Sequence, residues 1–162
     1  MSSDLIPPSV EELAELGVEI PETGKVILDI SAEWCQPCKQ LTPVLEKLAE
    51  EGEITLAKAD LDEHHDFFDA HNVNAVPTMV FFKDGQRIGD ILLGGENDVP
   101  LPLADVLADV FECNYKYQIL QDGQPVDDLG PFSVRLTRSP VQNGVMVGFR
   151  SEEELREIVA RM

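Results

Sequence analysis

Two cysteines stand three positions apart in Cys35-Gln36-Pro37-Cys38, a spacing at which one thiol can attack a disulfide and the other can resolve the product. Downstream, Leu41, Val44, Leu45 and Leu48 recur at the spacing of an amphipathic helix, so the pair sits at a helix start. The first thiol then lies beside unpaired backbone N–H groups and the positive end of the helix dipole. Both lower its pKa and populate the thiolate, the species that attacks. The second thiol lies about one turn further in, shielded but close enough to attack a mixed disulfide. Pro37 suits the first turn, where its missing N–H costs little. A zinc site would need about four ligands. No second cysteine pair exists, and Cys113, His64, His65 and His71 follow no finger-like spacing, so no metal is expected. Two inert buried cysteines would leave the helix-start placement unexplained. The chemistry expected here is dithiol–disulfide exchange with no bound cofactor.

The elements that must position this pair are legible around it. Residues 25–31, KVILDIS, form a near-continuous apolar run and read as a buried central strand. Asp29 sits inside it, where an ionisable group is costly unless paired or functional. The helix after the dithiol runs to about Glu51, with Pro43 expected to kink it. Residues 53–60 read as a second strand, with Lys58 near its end. Residues 63–72 read as an acidic helix whose histidines, His64 and His71, belong to a solvated polar face. Residues 78–83 read as a third strand, turned by Asp84-Gly85 into a hairpin partner at 87–93 that Gly94-Gly95 ends. Residues 101–111 read as a further helix, and Ser9 with Glu12 forms a capping box for a short first helix that leaves at Gly17. This order implies an α/β three-layer sandwich with a mixed sheet.

Beyond that, Tyr115–Leu120, Phe132–Thr137 and Val145–Phe149 read as short strands, and Ser151 with Glu154 caps a last helix. The expected division is 1–112 (core about 20–112) and 113–162, a small C-terminal α+β appendage, because residues 78–112 already supply a hairpin and helix. Cys113 is expected to be a small buried residue at the junction. The competing alignment takes Val145–Met162 as the closing strand and helix of the first domain and residues 96–144 as an insertion.

The stretch VILDISAEWCQPCK, followed by Pro43, Lys58, Asn74-Ala75-Val76-Pro77-Thr78 and Gly94-Gly95 in order, resembles the thioredoxin family over roughly residues 20–112. The resemblance implies a thioredoxin-like fold and a protein-disulfide reductase. Cys35 is similar to the family's exposed nucleophile and Cys38 to its resolving thiol. Trp34 would pack beside the site. Asp29 matches the buried carboxylate behind the second cysteine, able to accept its proton, and Lys58 the lysine that moderates the carboxylate's raised pKa. Gln36 and Pro37 would face the substrate, as would Val76 at a cis bond to Pro77, pairing with the substrate backbone strand-fashion. Gly94 or Gly95 would let that backbone approach. Gln36 stands where the family usually has glycine, and Ser31 where many members carry a second tryptophan. The implied partners are protein disulfide substrates and a recycling thioredoxin reductase. The alternative is an adaptor or chaperone-like module whose appendage holds a dedicated client.

A formal net charge of -19, from 31 acidic and 12 basic residues, repels nucleic acid phosphates and anionic membranes. Neither partner is expected. The charge also suits a salt-rich cytoplasm, where self-repulsion is screened. The first ten residues lack a basic start and a long apolar run, and no stretch reaches the ~18 apolar residues of a membrane helix. A cytoplasmic location is the expectation.

Overall fold

The computed structural model describes residues 5–100, 120–121, 124–125 and 133–162. The chain falls into two compact units, Met1–Leu93 with Ser139–Met162, and Gly94–Arg138. In the first, β1 (Lys25–Ser31) is central. It pairs parallel with β2 (Thr55–Asp60) and antiparallel with β3 (Thr78–Lys83). Five of its seven residues are buried, as its aliphatic run demands. The crossover from β1 to β2 is α2 (Gln36–Glu50), as parallel pairing requires.

Apolar residues fill both faces of the sheet. On one, Val26, Leu28, Ile30 and Val80 pack with Leu13 of α1 (Val10–Glu15) and Phe68 of α3 (His65–Ala70). On the other, Ile27, Met79 and Phe81 pack with Leu41, Leu45 and Leu48 of α2 and with Leu155, Ile158 and Val159 of α4 (Glu152–Arg161). This is the expected three-layer sandwich with a mixed sheet. Pro43 lies inside α2, which continues through it. The Ser9–Glu12 capping box is present, with both hydrogen bonds made, at 2.9 and 3.1 Å. His71 is not a solvated residue. It bridges Glu12 at 2.9 Å and the Phe67 carbonyl at 2.9 Å, tying α3 to α1.

The expected boundary at residue 112 is wrong. β4 is only Gln86–Arg87, and the rest of that edge position is filled by β9 (Val145–Val147), which pairs antiparallel with β3 through Thr78↔Val147, Met79↔Met146 and Val80↔Val145. The layer beside α2 is closed by α4, capped by Ser151. The physical reason is burial: Met146, Leu155, Ile158 and Val159 complete the core around Leu41 and Phe81. The expected hairpin at Asp84-Gly85 therefore forms but is short: Arg87 pairs with Phe82 and Ile88 N–H bonds to the Phe81 carbonyl, whereas residues 89–93 do not continue the arm along β3. Their continuation, β5 (Ile91–Pro100), pairs with β8 (Ser133–Val141). Two short strands, β6 (Leu120–Gln121) and β7 (Gln124–Pro125), pair antiparallel with each other. The helix expected at 101–111, the strand at 115–119, the turn at Asp122-Gly123, Phe132 and Cys113 lie outside the described residues.

The chain thus leaves an edge strand after β4 and re-enters it before β9. At the splice, Phe81 receives a hydrogen bond from Ile88 N–H at 3.0 Å and donates to the Gly144 carbonyl at 2.8 Å. Gly144 N–H donates to the Gly89 carbonyl at 3.1 Å, and Asn143 N–H to the Asp90 carboxylate at 2.6 Å. Gly144 has φ +75°, and a Cβ there would run into Arg87 and the Ile88 carbonyl, so this crossing of two strands in one register needs glycine.

Candidate active site

Cys35 is the N-cap of α2, with extended backbone angles of φ -80° and ψ 111°. Its sulfur accepts the Cys38 N–H at 3.2 Å, so it occupies the place where a cap oxygen would otherwise satisfy an orphan donor. Gln36 and Pro37 form the first turn and are exposed. Cys35 and Cys38 are joined in a disulfide, with Cα atoms 5.3 Å apart. The expectation of an exposed Cys35 does not hold in this oxidised form: both cysteines are 3% accessible. The bridge turns the Cys35 sulfur back onto the helix end.

Asp29 lies in β1, 1% accessible. Strand alternation puts it on the same face as Ile27, the face that α2 covers. Its Oδ1 has no hydrogen-bond partner among the described residues. Burial pushes this carboxyl up to about 6, and the positive charge of Lys58 pulls it back. Lys58 sits opposite Asp29 in the β1–β2 register, but its ammonium is half-exposed and paired with Glu46 of α2 at 3.0 Å. The lysine therefore acts on Asp29 through space rather than as a bonded partner.

Trp34 is 64% accessible rather than packed away, and its indole N–H donates to Asp62 at 2.9 Å. Asp62 N–H is in turn held by the Asp60 carboxylate at 2.8 Å. Asp62 was not among the expected site residues, and nothing in its local sequence distinguishes it from the acidic residues around it. The Val76-Pro77 bond is cis. The loop is fastened by Thr78, buried, whose hydroxyl donates to the Ala75 carbonyl at 2.7 Å.

The glycine hydrogen-bonded to Pro77 is Gly148, whose N–H donates to the Pro77 carbonyl at 2.8 Å with φ +88°. Gly94 and Gly95 lie in β5, within the other unit. The signal that could have found Gly148 was its place between a strand and the Ser151 cap, the order that the competing alignment required. The first unit thus carries a capped dithiol at a helix start, a buried carboxyl with a raised pKa under the helix, and a cis-proline loop whose backbone is held by a glycine.

Comparisons of sequence point to one family. The sequence profile of the thioredoxin family matches residues 10–99. A thioredoxin of Chlamydia caviae is 42% identical over 71 residues, 43% of this chain and 70% of that protein. A Staphylococcus aureus thioredoxin is 40% identical over 73 residues, 44% of this chain and 70% of its own. Among solved structures, a mutant thioredoxin from Halobacterium salinarum is 33% identical, covering 66% of this chain and 85% of its own, with a TM-score of 0.40.

Proposed function

This chain belongs to the thioredoxin family of thiol–disulfide oxidoreductases, and from that premise we propose that it reduces disulfide bonds in other proteins, with Cys35 attacking and Cys38 resolving. The Cys35 thiolate attacks one sulfur of a substrate disulfide, forms a mixed disulfide and releases the other sulfur as a thiolate. Cys38 then attacks the Cys35 sulfur and releases the second substrate thiol. Two electrons pass to the substrate, and the protein is left as the Cys35–Cys38 disulfide. Asp29 takes the Cys38 proton as that thiol attacks, directly or through a water. Lys58 tunes Asp29, Trp34 shields the reacting sulfurs, and Gln36, Pro37, Val76 and Pro77 face the substrate. A thioredoxin reductase returns the electrons, in the cytoplasm. No helix among the described residues is long and apolar enough to cross a membrane.

The observation that carries this reading is the Cys38 N–H donated to the Cys35 sulfur at the start of α2. The same donor favours the thiolate once the bridge opens. The test is turnover of insulin disulfides with dithiothreitol as reductant. Cys35→Ser abolishes it, whereas Cys38→Ser stalls as a mixed disulfide that can be isolated by mass. A Cys35→Ser variant that still turns over would end the assignment. The adaptor reading has the unit Gly94–Arg138 in its favour, and it requires that a client still bind when both cysteines are serine.

A further inference from the structure

Asn143 and Gly144 form the two-residue turn between β8 and β9, with positive φ at both, +52° and +75°, as the mirror-image turns of tight hairpins require. Gln142 and Val145 close it, exchanging both main-chain bonds at 2.9 Å. The dipeptide is also chemically reactive. An asparagine side-chain amide can be attacked by the next backbone nitrogen, and a glycine there has no Cβ to obstruct the approach. Asn143 is exposed. Three contacts hold it still. Its N–H donates to the Asp90 carboxylate at 2.6 Å, and its Oδ1 accepts from the Arg87 guanidinium at 3.4 Å. Gly144 N–H donates to the Gly89 carbonyl at 3.1 Å. The nitrogen that would attack thus has its proton committed to a carbonyl, and the carbon it would attack is anchored through its oxygen to Arg87.

We propose that Asn143 is a deamidation site locked by the splice, reacting when the contacts to Gly89 and Asp90 open. The Gly144 nitrogen gives up its proton and bonds to Asn143 Cγ. The side-chain nitrogen takes up a proton and leaves as ammonia, and a succinimide ring remains. Water opens the ring at either carbonyl, leaving aspartate or isoaspartate at position 143. The bonds that must break are local, at the root of β5 and β8, and bonds of this kind open without unfolding of the core. Either product changes the splice. Aspartate sets a carboxylate beside that of Asp90 in a chain of net charge -19. Isoaspartate routes the main chain through its own Cβ, so Gln142 and Val145 fall out of register. β9 begins at Val145, and beyond its far end Gly148 N–H holds the Pro77 carbonyl at 2.8 Å. The modification therefore loosens the strand that ends at the cis-proline loop, and it marks permanently the molecules whose splice has opened.

The test incubates the whole oxidised chain at mildly alkaline pH, folded in one sample and unfolded by guanidinium chloride in the other. Mass spectrometry follows the peptide that holds residue 143, and enzymatic methylation counts isoaspartate. The folded chain should convert more slowly than the unfolded one by roughly ten- to a hundredfold, the factor for two net hydrogen bonds. Asp90→Ala removes the carboxylate on Asn143 N–H. It should speed conversion of the folded protein by roughly three- to tenfold and leave the unfolded rate unchanged. In the purified isoaspartate form, the Gly148 amide should exchange hydrogen faster than in the parent. Equal rates for folded and unfolded parent would overturn the lock, and that comparison needs no variant to fold. A folded Asp90→Ala protein that converts no faster than the parent would overturn it also. An unfolded chain that keeps its asparagine would overturn the site itself, and unchanged exchange at Gly148 would overturn the link to the cis-proline loop.

Discussion

Replacing Asp29 by asparagine should make the oxidised protein more stable at neutral pH, by an amount that grows with pH. The carboxyl is 1% accessible, its Oδ1 has no partner among the described residues, and burial holds its pKa at about 6 against an ordinary value near 4. The sign follows from proton uptake. Below about pH 4 both folded and unfolded chains carry the protonated group, so Asp29 exacts no ionisation cost. Between that point and about 6 the unfolded chain ionises while the folded one keeps its proton, so stability falls as pH rises. Above the folded pKa the loss is complete. Two tenfold steps at 1.36 kcal/mol each correspond to roughly 3 kcal/mol. The asparagine side chain is close in shape to the carboxyl and does not titrate. Urea unfolding of both oxidised proteins from pH 4 to pH 8 measures the difference, and the disulfide keeps Cys35 and Cys38 out of the titration. The gap between the two curves should widen by about 3 kcal/mol across that range. Parallel curves would show that Asp29 is not held above the usual carboxylate range. A gap that narrows would show a carboxylate stabilised by a partner, and the account of Asp29 as a proton acceptor would go with it.

The remaining predictions concern the closing elements and the site. Ile158→Ala, at a fully buried α4 position, should cost roughly 2–5 kcal/mol in urea unfolding. A chain ending at residue 112 should lack the cooperative unfolding of the whole protein, since it loses both β9 and α4; a cooperative transition there would restore a domain boundary at that position. Gly144→Ala should destabilise more than Gly148→Ala. Both have positive φ, worth roughly 1–2 kcal/mol, but only the Gly144 Cβ meets backbone, whereas that of Gly148 meets open space; calorimetry of the two variants decides it. Trp34→Phe keeps an aromatic ring and removes the donor to Asp62. Insulin reduction should slow while folding stability changes by less than about 1 kcal/mol.

What the amino-acid sequence determined by itself was local. The dithiol at a helix start, the aliphatic strand with Asp29 inside it, the Ser9 capping box and the proline loop each rest on neighbours within a few residues. Each stands in the structure where local physics put it. The last strand and helix were legible as elements too, from the run at Val145 and the cap at Ser151. Their membership was not. Residues 87–111 and 145–162 both read as a strand followed by an amphipathic helix, and periodicity cannot say which pair a distant sheet will accept. Tertiary structure decided that by burying Met146, Leu155, Ile158 and Val159 against α2 and β3. It also set Gly148 rather than Gly94 or Gly95 against Pro77 and joined Trp34 to Asp62. Those contacts join residues 28 or more positions apart, where only the closed chain brings donor and acceptor within reach.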